Sequence, residues 1–310
     1  SYRVVERAPL RGHYRGFEIV TAPPPSSGGI GILQMLGVLE GTGFEKHGAG
    51  SAAAIHWMAE AMRRFFADRS EYLGDPDYVR VPVKGLLDPR YLAQLRSSID
   101  PERATPSERL RPGNPHQYES PQTTHYSIVD PQGNAVAVTY TLNGGYGCGV
   151  TVPGLGFLLN NEMDDFAARP GFPNYYGLVQ GEANAIAPGK RPLSSMTPTI
   201  VLRDGRLYMV VGSPGGPRII TTVLQVIVHV LDFGMNIQQA VDWPRFHHQW
   251  LPDKLYLEPG ISPDTQALLA ARGFAIELTR SMGEAAAVLV EGGWLQGAAD
   301  PRVEGKAAGF

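Results

Sequence analysis

Apolar residues along this chain change their spacing partway through. From Gly31 to Leu39, and again from Ser51 to Ala67, they recur at the interval of one helical turn, which predicts two helices. In the second, Ile55, Met58, Ala59, Met62 and Phe66 share one face and Arg63 and Arg64 fall off it. Ahead of them FEIV, Phe17 to Val20, reads as a short strand. The following TAPPPSSGGIG reads as a rigid loop, because its prolines lack an amide and its glycines permit tight turns. Asp88 followed by Pro89 predicts an N-cap and first helical residue for a helix through Leu95. The leading segment therefore reads as mainly helical. From Pro101 to Gln122 the sequence PERATPSERLRPGNPHQYESPQ loses apolar periodicity and is rich in Pro, Ser and Arg, the pattern of an exposed linker. Beyond it the period shortens. THYSIVD and AVAVTYTLN flank a PQGN turn, TIVLRDGRLYMVV is folded about Asp204 and Gly205, and two hairpins are predicted. The run from Ile219 to Leu231 is a core element, too short and too interrupted by polar residues to span a membrane.

Composition narrows the partners. Of the 310 residues, 18% are charged and 43% hydrophobic, with a formal net charge of -3. That balance fits neither a disordered chain nor a nucleic-acid binder with a broad basic face, and it points to a small-molecule partner. The single cysteine, Cys148, excludes an internal disulfide framework and a multi-cysteine metal site. The sequence starts at Ser1 with no Met and no leader pattern, so it is expected to be a piece of a longer precursor.

The familiar nucleophile and phosphate signatures are missing: G-x-S-x-G, S-x-x-K, H-E-x-x-H and G-x-x-x-x-G-K-[ST] do not occur. GGIG near Gly28 reads as a plain loop. His247 and His248 are adjacent and point apart on any regular element, so they are expected as hydrogen-bonded residues of a packed corner. What remains is the pair Thr123 and Thr124, at the entry to a strand and directly after the linker. Cleavage ahead of Thr123 would give its hydroxyl an α-amino group on the same residue, with a pKa of about 7.7 to 8.0, to serve as base. Before cleavage the same hydroxyl can attack the carbonyl of Gln122 in an N-to-O acyl shift. Threonine is also β-branched and simply belongs in strands. On the residues alone the strand reading is preferred.

Five stretches, QTTHYSIVDPQGNAVAVTYTLN, LLNNEMDDF, RPLSSMTPTIV, GSPGGPRIITTVLQ and PRFHHQWLPD, together with PPPSSGGI and ADRSEYLGDPD upstream, resemble the γ-glutamyltransferase family of N-terminal-nucleophile hydrolases. The resemblance runs in order over nearly the whole chain. It implies an αββα four-layer sandwich and a precursor that cuts itself between Gln122 and Thr123. Residues 1–122 would then be the end of a large subunit and 123–310 the small catalytic subunit, paired as a processed heterodimer. Thr123 matches the nucleophile, which takes the γ-glutamyl group of glutathione or a related donor and passes it to water, an amino acid or a peptide, with no cofactor. Thr141 matches a threonine that hydrogen-bonds the nucleophile. Asn143, Glu162 and Asp165 match residues holding the α-amino and α-carboxylate ends of the substrate, and Ser194 and Ser195 match a serine pair that binds the carboxylate. Gly215 and Gly216 match the oxyanion hole, ahead of a helix expected at Ile219, where free amides and the helix dipole favour negative charge. PGFPNYYGLVQG, Pro170 to Gly181, resembles a lid loop with Tyr176 as its aromatic gate.

Relatives of this kind are longer, and their leading half carries an arginine that clamps the substrate α-carboxylate; no residue here matches it. Three functions fit the sequence. The first is a γ-glutamyl transferase or hydrolase, with a periplasmic or extracellular home implied by the resemblance alone. The second is an acylase on the same scaffold, acting on glutaryl-type β-lactam side chains or on poly-γ-glutamate. The third is a non-catalytic homologue that keeps the fold without cleaving itself.

Overall fold

A computed structural model describes residues 3–113 and 127–309. Its centre is an antiparallel sheet of six strands in the order β1-β2-β5-β6-β10-β11. These are β1 (Leu10–Tyr14), β2 (Phe17–Thr21), β5 (Thr199–Arg203), β6 (Arg206–Gly212), β10 (Ala286–Glu291) and β11 (Trp294–Ala298). Strands from both sides of the linker thus share one sheet, β2 pairing directly with β5. Asp204 and Gly205, at φ 52° and 72°, make the left-handed turn that joins β5 to β6, as the sequence requires.

One face of this sheet is a row in register: Gly12, Ile19, Val201, Met209 and Leu289. Against it pack α1 (Gly28–Leu39) and α5 (Arg218–Leu231), with α2 (Ala52–Tyr72) laid over α1. Gly12 is required there by close approach, since a Cβ would stand 2.6 Å from Leu33 Cδ2. The opposite face presents Val210 and Val288, alternate to that row. Over it lies a short hairpin, β3 (Ser127–Val129) with β4 (Ala135–Ala137), whose Ser127 hydroxyl donates to Ala286 O at 3.2 Å. Helix, sheet and second-sheet hairpin are three successive layers of a sandwich. Apolar side chains beyond the hairpin stay open to solvent, among them Tyr140, Leu155, Phe157 and Met163.

Smaller elements close the ends. They are α3 (Val83–Leu86), α4 (Pro89–Ser97), α6 (Ile237–Asp242), α7 (Pro263–Ala271) and a sheet of β7 (Phe246–His247), β8 (Leu255–Leu257) and β9 (Ile276–Leu278). Local chemistry sets their starts. Asp88 caps α4 by accepting from Arg90 N at 2.8 Å, and Asn236 and Gln239 form a reciprocal capping box on α6. Among the described residues no helix is long and apolar enough to cross a membrane.

The structure corrects three expectations. Helices α1 and α2 are longer than the periodicity gives, α2 running on to Tyr72 and α1 starting at Gly28, so that the GGIG expected as a plain loop is its first turn. The expected strand AVAVTYTLN is strand only over Ala135–Ala137. Arg63 and Arg64 fall off the apolar face of α2 as the spacing gives, and they are buried there, each being 1% exposed. The supposed linker is anchored through Gly113. Ala104 N donates to Arg272 O, Ser107 N to Asp253, and Gly113 N to Asp68, at 2.7, 2.7 and 2.9 Å. Polar, proline-rich sequence gave no apolar signal because the anchoring is done by backbone amides. Residues 114–126 lie outside the described part.

Candidate active site

The chain turns sharply after β6. Pro214, Gly215, Gly216 and Pro217 lead into α5, with Gly215 at φ 132° and Gly216 at φ 58°, values that favour glycine. A Cβ on Gly216 would also stand 2.7 Å from the ring of Tyr176. Neither glycine amide finds an acceptor among the described residues. Both glycines line a cavity of about 460 Å³ at the N-terminus of α5. Two unpaired amides at such a helix end make a site for a negatively charged oxygen.

A second wall of the cavity is the loop ahead of β5. Ser194 and Ser195 lie on it, held by pairing with the loop that leads into α1. Ser194 N donates to Pro25 O at 2.8 Å and Ser27 N to Ser194 O at 2.9 Å. The Ser26 hydroxyl donates to Met196 O at 2.7 Å. This is why PPPSSGG and RPLSS, far apart in sequence, behave as one unit. Ser195 Oγ accepts from Arg69 Nη2 at 3.1 Å.

The third wall carries carboxyl groups. Glu162–Asp165 is a single 3-10 turn, and its last carbonyl, Asp165 O, accepts from Asn184 Nδ2 at 2.7 Å and Gln180 Nε2 at 3.2 Å. Burial, then the charge of Glu162 beside it, push the Asp165 carboxyl up to about 8, against a pull from Arg69. Burial raises Glu162 as well. Asp165 lines the cavity itself, while Glu162 opens into an adjoining surface hollow that shares Thr141 and Ser194 with it. A pair of carboxyl groups kept close in a poorly solvated pocket holds a proton when empty and is suited to receive an ammonium group.

Asn143, Thr141 and Tyr176 complete the wall. Asn143 sits at φ 68°, a conformation Asn tolerates, fixed by its Nδ2 donating to Asn161 O at 3.2 Å and by its own amide donating to Thr141 Oγ1 at 2.8 Å. Tyr176 comes from the 170–181 loop and donates its hydroxyl to Asn143 O at 3.0 Å. Burial, then the negative charge of Asp165, raise that phenol to about 12, so it stays a donor. Gln249 Nε2 grips Tyr176 O at 3.0 Å.

The sequence-predicted residues therefore converge on this cavity, except that Glu162 lies in the adjoining hollow and Thr123 and Thr124 lie outside the described residues. The hairpin register, Ser127 against Ala137, leads along the chain from Ala137 towards Thr139 and Thr141, both on the cavity wall. The histidine expectation holds. His247 meets Thr221 Oγ1 and Gln249 Oε1 at 2.8 and 2.9 Å, and His248 meets Asp253 Oδ1 at 3.2 Å, both rings buried and their basicity lowered by burial. Sequence reasoning missed two residues. Thr139 has a buried hydroxyl with no partner among the described residues, at the cavity wall, two positions before Thr141. Arg69 is a cation placed behind the serine pair. Thr139 lies in the same predicted strand as Thr141, which the resemblance alone marked; nothing in the pattern marked Arg69.

This layering and this pocket are those of an N-terminal-nucleophile hydrolase. Over 97% of its length the chain superimposes on 53% of a cephalosporin acylase from Bacillus halodurans, with a TM-score of 0.85 at 27% identity. The chain belongs to the gamma-glutamyltranspeptidase family, which it matches over residues 1–310. It is 54% identical over 312 residues to the glutathione hydrolase proenzyme of Escherichia coli K12, a match covering 100% of this chain and 54% of that protein. It also resembles an acivicin-inhibited gamma-glutamyltranspeptidase whose C-terminus has critical roles in autoprocessing and catalysis. That likeness has a TM-score of 0.57 and 56% identity, over 59% of this chain and 100% of the other. The chain thus spans about half the length of the curated relatives it matches.

Proposed function

We propose that the complete protein transfers the γ-glutamyl group of glutathione or a related donor to water, an amino acid or a peptide, after cutting itself between Gln122 and Thr123. One observation carries this reading. One cavity joins two glycine amides that have no acceptor among the described residues to the Asp165 carboxyl and a serine pair, with Glu162 beside Asp165 in the adjoining hollow, and so offers separate sites for an oxyanion, an ammonium and a carboxylate. A γ-glutamyl amide presents those three groups. Residues 1–122 and 123–310 are then parts of a large and a small subunit, which the proenzyme character of the relatives supports. A periplasmic or extracellular location rests on the same kinship.

In this reading Thr123 Oγ1 attacks the γ-carbonyl while its α-amino group takes the hydroxyl proton. The tetrahedral oxygen is met by the Gly215 and Gly216 amides, the amine leaves with a proton returned from the Thr123 ammonium, and a γ-glutamyl ester remains. Water or an incoming amine, deprotonated by the same α-amino group, attacks that ester through the same oxyanion site and restores the free hydroxyl.

The acylase reading is favoured by the fold match to the cephalosporin acylase, since a glutaryl amide needs the same oxyanion site. It leaves the acid pair without a purpose, because a glutaryl group has no ammonium. Side-by-side turnover of a γ-glutamyl anilide and a glutaryl anilide decides: preference for the first by about 100-fold or more is expected from losing a buried charged contact. Equal or reversed rates favour the acylase.

A further inference from the structure

Arg69, in the last turns of α2, is 2% exposed and has no carboxylate within ion-pairing distance among the described residues. A buried guanidinium without a counter-ion is unusual, because taking a charge out of water is costly unless something answers it. Here two hydroxyls do. Nε donates to Ser27 Oγ at 2.9 Å and Nη2 to Ser195 Oγ at 3.1 Å. Burial lowers its pKa to about 10, so the cation persists at neutral pH.

The consequence lies in the hydroxyl hydrogens. A serine oxygen that accepts from a guanidinium must aim its own O–H elsewhere. Ser27 sends its proton to Ser194 O, at 2.7 Å, and so locks the backbone of the serine pair. The Ser195 hydroxyl, on the cavity wall, meets no acceptor among the described residues. With its lone pair engaged by Arg69, its proton is free to point into the cavity.

We propose that Arg69 is the positioning residue that makes this wall selective for a carboxylate. It fixes Ser195 as a donor towards the cavity, ties Ser194 through Ser27, and supplies from behind the positive potential that a bound carboxylate neutralises. The inference rests on the γ-glutamyl reading for the kind of ligand, but not on Thr123 or on turnover. It also accounts for a buried cation that has no ion-pair partner among the described residues: a bound carboxylate supplies one. Asp165, whose charge Arg69 feels, makes no ion pair or hydrogen bond with it and is raised by burial, so a bound carboxylate still meets an unpaired guanidinium among the described residues.

Equilibrium binding to the complete, processed protein tests this with two probes, L-glutamate and its α-amide isoglutamine, which differ only at the carboxylate. Wild type should prefer glutamate. In Arg69→Lys, which keeps a charge but loses the fork to both serines, glutamate binding should weaken by about 10- to 100-fold, the range for a charge-assisted hydrogen bond. Isoglutamine binding should change little, so that the preference collapses. Ser27→Ala, a milder change that leaves the cation in place, should lose part of the same preference. Adding Ser195→Ala to Arg69→Lys should cost much less than Ser195→Ala alone, because the two act through one contact. An unchanged preference in both Arg69→Lys and Ser27→Ala, or equal weakening of the two probes, overturns the assignment. If Arg69→Lys does not fold, the Ser27→Ala preference decides alone. Turnover of γ-glutamyl anilide by wild type, measured alongside, separates the readings. Glutamate preference without turnover removes the proposed reaction and leaves Arg69's role standing, whereas turnover with an unmoved preference does the reverse.

Discussion

Asp165 carries the clearest consequence at the scale of single residues. Its folded pKa is raised from 3.8 to about 8, so the empty site holds a proton that the unfolded chain has already released near neutrality. The resulting stability is fully present below pH 3.8 and is lost as pH rises through about 8. An ammonium ligand favours the ionised carboxylate, so binding releases a proton. Affinity for a γ-glutamyl donor should therefore increase between about pH 6 and 8, and Asp165→Asn should bind more weakly with that pH dependence removed. Calorimetry in two buffers of different ionisation enthalpy reads the released proton directly; binding without release would refute the assignment. Gly216 gives a second test. Its left-handed backbone and the Tyr176 ring leave no room for a methyl group, so Gly216→Ala should displace the amide from the oxyanion site. Losing one such donor lowers kcat by about 100- to 1,000-fold, with KM much less affected. The sequence made these residues legible through long motifs whose glycines, serines and acids retain their order. It did not make Arg69 or the orphaned Thr139 hydroxyl legible, since burial of a polar group leaves no periodic trace.

Among the elements, α2 departs furthest from its pattern. An amphipathic helix with two arginines off its apolar face suggests a solvated stripe. Instead Glu60 receives Arg63 Nε at 3.1 Å and Arg64 Nη1 at 2.6 Å, and also accepts from Thr105 N and Thr105 Oγ1 at 3.1 and 2.6 Å. The helix is thus covered on its polar side by the segment that sequence alone made an exposed linker. Burial acts to raise the Glu60 carboxyl, yet the two arginines hold it below its ordinary value. Its stabilising contribution is therefore present above pH 4.5 and lost as pH falls through the depressed value. Glu60→Gln leaves the buried Arg64 without its counter-charge and Arg63 with Asp253 alone, and a loss of about 3 to 5 kcal/mol is expected. Urea unfolding of the complete protein checks it, and a loss under about 1 kcal/mol would mean the cluster is solvated. The strands were easier to read than the helices' surroundings. Alternation and the Asp204-Gly205 turn locate β5 and β6 almost to the residue, whereas β1 was missed because LRGHY shows little apolar alternation.

For the molecule as a whole, one sheet takes strands from both sides of the proposed cleavage point. Cutting the chain between residues 122 and 123 would leave its halves joined by the β2–β5 ladder, by α1 against α5, and by the buried contacts of Ser107 with Asp253 and Trp250. A processed heterodimer is thus compatible with this core. The anchoring through Gly113 places the end of the first segment against Asp68 on α2, close in sequence to the arginine behind the serine pair. The third layer and the open apolar side chains beyond β3 and β4 fit a chain that spans about half of its relatives' length. All of the proposed chemistry depends on Thr123 having a free amine. Intact-mass and N-terminal analysis of the complete, active protein, compared with its Thr123→Ala variant, is the most direct measurement. The predicted result is a fragment of wild type beginning at Thr123, and an uncut, inactive variant. An uncut bond between Gln122 and Thr123 in fully active enzyme, or full activity in Thr123→Ala, would contradict it.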